Sequence, residues 1–399
     1  MKNYLTLIII FFSFYVTNAQ EKPKLSERLL TQYKKGIGIT TPDSIFSINF
    51  RFRMQNRLGY ISKSEVDLTP EEFDFRVRRM RLRFDGFVFT PRLIYNIQLS
   101  FSRADMDWDV SGVPNVLRDA ALSYYVGKGF TLGLGQTKLP GNRQRVVSSG
   151  EQQFADRSIV NNALTIDRDF GMFFSYAHTF KNNFNLKVKT AISSGEGRNV
   201  LRTDRGLGYT ARLELLPLGD FTDKGDYFEG DLLREQKPKL ALCGGFHFND
   251  RAMRTGGQLG KELYAHRAIY WYEADMVFKY KGFALSSEYI RRTSDSAVTL
   301  NSKSDMRYVY IGEGINTQIS YCTKKMWEVA IRHSFLSPGK DIRRYENQKS
   351  EYGICLNKYI MKHRLKIQTD LTYRRDRDML ANANKHNSFQ FRFQIELGI

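Results

Sequence analysis

The sequence predicts an all-β protein, a transmembrane antiparallel β-barrel of about 16 strands, and three observations carry that reading. Apolar and polar side chains alternate with period two almost everywhere after residue 44, so each segment has one face for a non-polar medium and one for water. The connections alternate between tight turns and long loops, as in bacterial barrels with short periplasmic turns and longer external loops. A secretion signal opens the chain, yet no later run approaches the roughly eighteen apolar residues of a membrane helix, so any crossing falls to strands.

In chain order, MKNYLTLIIIFFSFYVTNAQ places Lys2 before an apolar run from Tyr4 to Val16, followed by Thr17 and Ala19. That is the form of a secretory signal peptide over residues 1–19, cleaved after Ala19; a buried N-terminal strand or helix is the alternative. No cysteine follows the run, which argues against a lipid anchor. Residues 20–44 are read as a short periplasmic N-terminal segment in which KLSERLLTQYKKG forms one short helix, and residues 45–399 as the barrel.

Strands are expected near 45–57, 73–89, 92–103, 116–126, 129–138, 170–180, 183–194, 207–216, 238–249, 269–280, 283–292, 308–322, 325–335, 350–359, 362–374 and 387–399. The first shows the pattern plainly: Phe46, Ile48, Phe50, Phe52 and Met54 alternate with Ser47, Asn49, Arg51, Arg53 and Gln55. Tight turns fall at Thr90-Pro91, Gly127-Lys128, Lys181-Asn182, Lys281-Gly282, Thr323-Lys324 and Met361. Long loops fall near 58–72, 104–115, 139–169, 195–206, 250–268, 293–307, 336–349 and 375–386. One segment breaks the rule: Pro217 to Lys237 is long and lies on the turn side, where it reads as a periplasmic excursion. A soluble β-sandwich would have shorter strands, of about five or six residues, and no alternation of short and long connections.

Composition fits a barrel with a polar interior. The 61 Lys and Arg against 42 Asp and Glu give a net charge of +19, and removing the signal takes away only Lys2. An exported basic chain meets anionic small molecules, polysaccharides or lipid head groups rather than nucleic acid. The 22 tyrosines and 14% aromatic share suit the aromatic girdles of an outer-membrane barrel.

The stretch FRVRRMRLRF, Phe75 to Phe84, is the sharpest test of that reading. As a helix it would be basic and amphipathic, with Phe73, Val77, Met80 and Phe84 on one face. As a strand it alternates in two phases, Phe73, Phe75 and Val77 first, then Met80, Leu82 and Phe84, and the strand also accounts for Phe75 and Leu82. A lipid-facing arginine at mid-membrane costs roughly 2 to 4 kcal/mol, so Arg76, Arg78, Arg79, Arg81 and Arg83 must face the lumen or its rim. The phase slip at Arg78 and Arg79 then reads as a β-bulge that keeps both inside.

The other polar phases add Arg51, Arg53, Lys187, Lys189, Arg332, Arg364 and Lys366 as candidate pore-lining, anion-binding residues, with Lys279, Arg374 and Arg392 on the same faces. Fewer acids share them, among them Asp275, Glu288, Glu328, Asp370 and Glu396, so the wall has a positive potential. One cation about 4 Å away through water is worth only about 1 kcal/mol on a unit charge, so selection needs a column of them. The alternative is that these cations pair with lumen carboxylates and brace the wall. The loop from Leu139 to Asp169 exceeds the usual length of roughly 12 to 15 residues and is read as an inward constriction loop carrying Arg143, Arg145, Arg157 and Arg168, with a plain surface loop as the alternative. Glu151, Asp156, Asp167 and Asp169 lie beside them, so the eyelet could be mixed in charge or cationic.

No catalytic residues, metal site or cofactor are expected. His178, His247, His266, His333, His363 and His386 are scattered and fall in no HExxH or GxSxG setting, and the glycine pairs lack the strand-to-helix context of a phosphate loop. Cys243, Cys322 and Cys355 have neither disulfide nor zinc spacing and are read as small strand residues.

FRVRRMRLRFDGFVF, LGLGQTKLPG with SSGEQQFADRS, DRDFGMFFSY, YTARLELLPLG, GQLGKELYAHRAIYWYEADMVFKYKGFALSSEYIRR and EGINTQISY together, in this order, resemble the phosphate-selective porin O and P family in its Bacteroidetes-type form. The resemblance implies a sixteen-stranded barrel in the outer membrane of a Gram-negative bacterium, a homotrimer, and passive uptake of small, phosphate-like anions. It carries over Arg78-Arg79, with Arg76 and Arg81 around them, as wall residues. Two departures stand out: Pro140 runs directly into Gly141 where the family has an aromatic, and Ile399 stands where an aromatic residue ends the chain. The rival readings are a general or sugar-type diffusion porin and an adhesion or structural outer-membrane barrel.

Overall fold

The computed structural model describes residues 30–32, 36–106, 115–200, 204–381 and 383–399; the expected signal peptide lies outside them. Sixteen long strands follow the alternation: β1 Phe46–Ser62, β2 Arg76–Val88, β3 Thr90–Ser100, β4 Leu117–Gly127, β5 Phe130–Lys138, β6 Arg168–Thr179, β7 Asn185–Ser193 and β8 Gly208–Leu216. The second half continues with β9 Lys239–Arg254, β10 Glu262–Tyr280, β11 Phe283–Ser294, β12 Gly312–Cys322, β13 Trp327–Pro338, β14 Gln348–Tyr359, β15 Leu365–Asp378 and β16 Ala383–Gly398. Each pairs antiparallel with its neighbour in sequence, and β16 returns to β1, from Gln390 opposite Ile61 to Gly398 opposite Arg53, so the sheet closes as a barrel. Several strands run further outward than the alternation indicates, β9 and β10 most of all, and leave only residues 255–261 between them.

Burial is inverted relative to a soluble domain, as a barrel between lipid and lumen requires. Along β13, Trp327, Val329 and Ile331 are exposed, while Glu328 and Arg332 on the alternate face are buried. Arg212, Arg292, Arg332 and Arg392 are among the largest fully buried side chains. Rings collect at both ends of the apolar band: Tyr60, Phe73 and Phe75 with Tyr373 and Phe389 at the outer end, Phe130, Tyr176, His178 and Phe180 at the periplasmic end. Outside the membrane a small apolar cluster of Ala252, Leu263, Ile269, Ala297, Val309, Ile311 and Ile342 ties the external loops together.

The N-terminal segment differs from expectation. Leu30–Gln32, within the stretch read as a helix, is a strand, and it pairs with a second strand, Ile37–Thr40. The latter lies against the first residues of β1, Ile37 opposite Phe50 and Thr40 opposite Ser47, below the point where β16 ends. Backbone pairing with an edge that would otherwise be open outweighs the local helix pattern.

The phase slip in the arginine-rich strand is a register shift between Gln55 and Asn56 of β1, opposite Arg79 and Val77, which leaves Arg78 as the extra residue.

Candidate functional site

Two connections leave the ends of the barrel and turn inward. From the external side, the chain between β5 and β6 enters as two short helices, α1 Arg143–Val146 and α2 Ile159–Leu164. Ser158 caps α2 by accepting the Asn161 backbone N–H at 3.1 Å. Val160 and Leu164 pack with Leu139, Ile166, Trp271, Ile290 and Leu336, and the Trp271 indole donates to the Leu164 carbonyl at 2.7 Å. The helix is thus seated on β10 to β13, across the barrel from where the loop begins. Gly314 makes the approach possible, since a Cβ there would stand 2.8 Å from Val160. Gly353 does the same for Phe154, which fills a seat formed with Ala330 and Cys355 under the Arg332 guanidinium.

From the periplasmic side, the long connection between β8 and β9 also turns in. Glu229 donates its backbone N–H to the Glu151 carbonyl at 2.9 Å and accepts that of Gln153 at 2.7 Å, so the two inserts meet inside the barrel. The excursion read for Pro217 to Lys237 is a return into the lumen, with Asp226, Asp231 and Glu235 buried.

What the inserts leave free is a cavity of about 310 Å³ against strands β2 to β6. Arg81, Arg83, Arg118, Lys138 and Arg168 border it on the wall, Arg145 and Arg157 on the loop, and Tyr227 on the periplasmic insert. Its carboxylates are Asp119 and Glu151. Asp105, from the β3–β4 connection, stands behind the wall cations, taking Arg81 Nε at 2.8 Å and Arg118 at 3.1 Å. Arg168 makes a fork to Asp119 at 2.9 and 3.1 Å, and Arg145 pairs with Asp167. Lys138 and Arg157 donate only to carbonyls of the loop, Lys138 to Val146 at 3.2 Å and Arg157 to Gln144 at 2.6 Å, with no ion pair among the described residues.

A column of arginines leads along β1 and β2 past this cavity. Arg76 stands at the outer rim, half exposed and paired with Asp74. Below it Arg57, Arg78, Arg79 and Arg392 converge on Asp156 of the loop, at 2.6, 3.1, 4.0 and 3.4 Å. Arg79 also donates to Gln55 at 2.8 Å. Arg53 reaches Ser148 at 3.0 Å and Glu396 at 3.2 Å, and Arg51 and Arg83 share Asp85 near the periplasmic end. Lys187 and Lys189 face inward on β7, where they pair with Asp220 at 2.9 Å and Glu214 at 3.1 Å.

Three of the expected lining residues, Arg332, Arg364 and Lys366, and one of the expected loop residues, Arg143, stand away from the opening. Arg143 is buried in contact with Asp275 at 2.9 Å and the Asp226 carbonyl at 2.8 Å, a strut between the inserts and the far wall. Arg332 donates to the Asp156 carbonyl at 2.8 Å and Lys366 to the Gln152 carbonyl at 2.7 Å, both covered by the loop they hold. Arg364 lies in the periplasmic turn before β15 and not on the wall. Arg168, read as a loop residue, is the first residue of β6. Strand phase gives the direction of a side chain but says nothing of what a distant loop lays over it.

Arg118, Lys138 and Tyr227 had no signal of comparable clarity. Arg118 faces inward beside Asp119 because the register shifts between Gln98 and Leu99 on the partner strand; the adjacent charges in VLRDAAL were the only trace of that bulge.

Residues 48–218 match the family model described as phosphate-selective porin O and P, so the resemblance read from the sequence holds over that stretch. No curated protein matches the chain. Among solved structures it is similar to the anion-selective porin from Comamonas acidovorans, at 12% identity and a TM-score of 0.53, covering 89% of this chain and 100% of that one. It is also similar to the outer membrane channel DcaP of Acinetobacter baumannii, at 9% identity and a TM-score of 0.55 over 92% of this chain and 100% of that one. The daunomycin complex of OmpF from Salmonella typhi gives 11% identity and a TM-score of 0.55 over 93% and 100%. Family match and closed sixteen-stranded barrel together define the class, a porin of a Gram-negative outer membrane.

Proposed function

We propose that this porin is a passive channel selective for small anions, with phosphate-like oxyanions preferred, and that its filter is the opening between β2–β6 and the inward loop. The observation that carries the reading is the border of that opening, seven arginines and lysines against Asp119 and Glu151. Cations arrayed along a low-dielectric wall add their fields, and a doubly charged oxyanion gains about twice what chloride gains. Guanidinium forks also match oxyanion geometry. The family match and the anion selectivity of the Comamonas porin agree with this reading. Diffusion involves no turnover, and an assembly of three copies in outer-membrane lipid is part of the same proposal, the similar Vibrio cholerae OmpT having been solved in a trimer form.

A general diffusion porin is the second reading, favoured by the pairing of Arg81 and Arg118 with Asp105 and of Arg168 with Asp119, which cancels much of the wall's charge internally. Bilayer recording separates the two. Under a potassium chloride gradient the selective channel gives an anion-selective reversal potential, its chloride current is blocked by phosphate, and the Arg81→Ala and Arg157→Ala double variant weakens both. A cation-selective potential, or chloride current indifferent to phosphate, would overturn the proposal.

A further inference from the structure

The periplasmic insert between β8 and β9 crosses the barrel's lower mouth and is fastened on both sides. Near its origin, Phe221 packs with Leu216, Ala241 and Val277, and Glu235 accepts both the Thr222 N–H at 2.7 Å and its hydroxyl at 3.0 Å. Consecutive left-handed residues, Asp223 and Lys224, turn the chain upward into the lumen. There the buried Lys279 ammonium of β10 gathers three carbonyls of the insert, Gly225 and Phe228 each at 2.7 Å and Gly230. On the opposite side Phe228 meets the ring of His363 in the β14–β15 turn at 5.8 Å, and Leu232 packs with Cys322 and Tyr359. Asp231 then accepts the Gly282 N–H at 2.7 Å, pinning the return to the β10–β11 turn.

This architecture is far more than a connection needs, since the neighbouring turns on that side manage with one to five residues. It closes the half of the lower mouth beneath β8 to β15, and one side chain extends past it into the open half. Tyr227 borders the cation-flanked cavity, its hydroxyl bonded to Glu214 and its ring 4.6 Å from Lys189 and 5.6 Å from Arg143. A ring held on three sides cannot swing aside for a passing solute at the cost of one rotamer change.

We propose that this insert, through Tyr227, is the size-limiting floor of the pore, so that charge preference and size limit are set by two different segments entering from opposite ends. The opening between the arginine wall and the external loop sorts solutes by charge, and the insert rejects those too bulky to pass Tyr227. The inference rests on the reading of this cavity as the conducting path and is independent of which ions prefer it.

The test measures pore radius with neutral polyethylene glycols of graded size, which report width without charge, alongside single-channel conductance. Three proteins are compared with the wild type: Tyr227→Ala, Tyr227→Phe, and a chain with residues 221–234 replaced by a short Gly-Ser turn. Tyr227→Ala and the replacement are expected to raise conductance about twofold or more and to admit larger polymers, with Tyr227→Phe unchanged in polymer cut-off. Gel mobility before and after heating shows that each barrel is folded; should the replacement fail that check, Tyr227→Ala decides alone. Unchanged conductance and cut-off in folded Tyr227→Ala would overturn the floor. A wider pore without any anion preference in the wild type would instead overturn the proposed selectivity and leave the floor standing.

Discussion

The two halves of the barrel wall use the same residue types to opposite ends. On β1 to β6 arginines outnumber carboxylates and several stand beside open space, Arg81, Arg83 and Arg118 among them. On β8 to β16 the arginines that lie beneath the inserts are enclosed and matched: Arg212 meets Glu214 at 2.8 Å, Asp275 at 2.6 Å and Glu273, and Arg392 meets Asp370 at 2.6 Å. The difference lies in what covers them. Where two inserts lie over the wall, water is excluded and every charge needs a counter-charge or a carbonyl; where the wall borders the cavity, arginines can outnumber carboxylates because the open side is left to water. A count of lumen arginines therefore says little about selectivity until the covered ones are set aside.

Breaking the covered half gives the largest effect. Arg212→Met leaves Glu214, Glu273 and Asp275 together without their common partner and strands the Gly141 carbonyl of the loop. Removing one member of such a network costs roughly 3 to 5 kcal/mol, so the temperature at which the folded band disappears on a semi-native gel is expected to fall markedly. An unaltered transition would mean that the network contributes nothing to holding the wall. The same change made to exposed Arg76 should leave the transition in place.

The two halves meet where β16 joins β1. Asp156 is the carboxylate on which Arg57, Arg78, Arg79 and Arg392 converge, so Asp156→Asn keeps its shape and releases charge on the open side. The concentration of phosphate that halves the chloride current is expected to drop about threefold. A rise in that concentration would indicate that Asp156 serves by positioning the arginines and not by cancelling them.

The smallest effect concerns the external mouth. Burial, then the nearby carboxylates of Asp204 and Asp169, push Glu196 up to about 7, against the opposing pull of Arg254. It is neutral below that pH and negative above it, so moving from about pH 6 to about pH 8 adds one negative charge at the entrance and trims anion preference by roughly some tens of per cent. The part of the pH dependence due to Glu196 should vanish in Glu196→Gln; a dependence identical in both would assign it to other groups.

The strands were legible because each residue's face is decided locally: Trp327, Val329 and Ile331 alternate with Glu328 and Arg332 whatever the rest of the chain does. The length of the β5–β6 loop and its place after the fifth strand pointed inward without excluding a plain surface loop. The loop's destination was not legible, since Phe154 finds its seat through Gly353 and Cys355, far along the chain and unmarked by any pattern. The periplasmic insert was opaque for the same reason: Lys279 looked like one more lumen cation, and only the fold shows that its ammonium is taken up by three carbonyls. Local periodicity carries the wall, and long-range pairing decides which of its charges remain available.

The short strand Ile37–Thr40 has a consequence of another kind. The foot of β1 extends below the last residue of β16, and a protruding strand with free N–H and C=O groups is a template on which a neighbouring chain could add itself. With the chain's own early residues already bonded there, and Ile399 donating to Phe52 at 3.0 Å just above, the join offers no vacancy for strand exchange between adjacent molecules in a crowded periplasm.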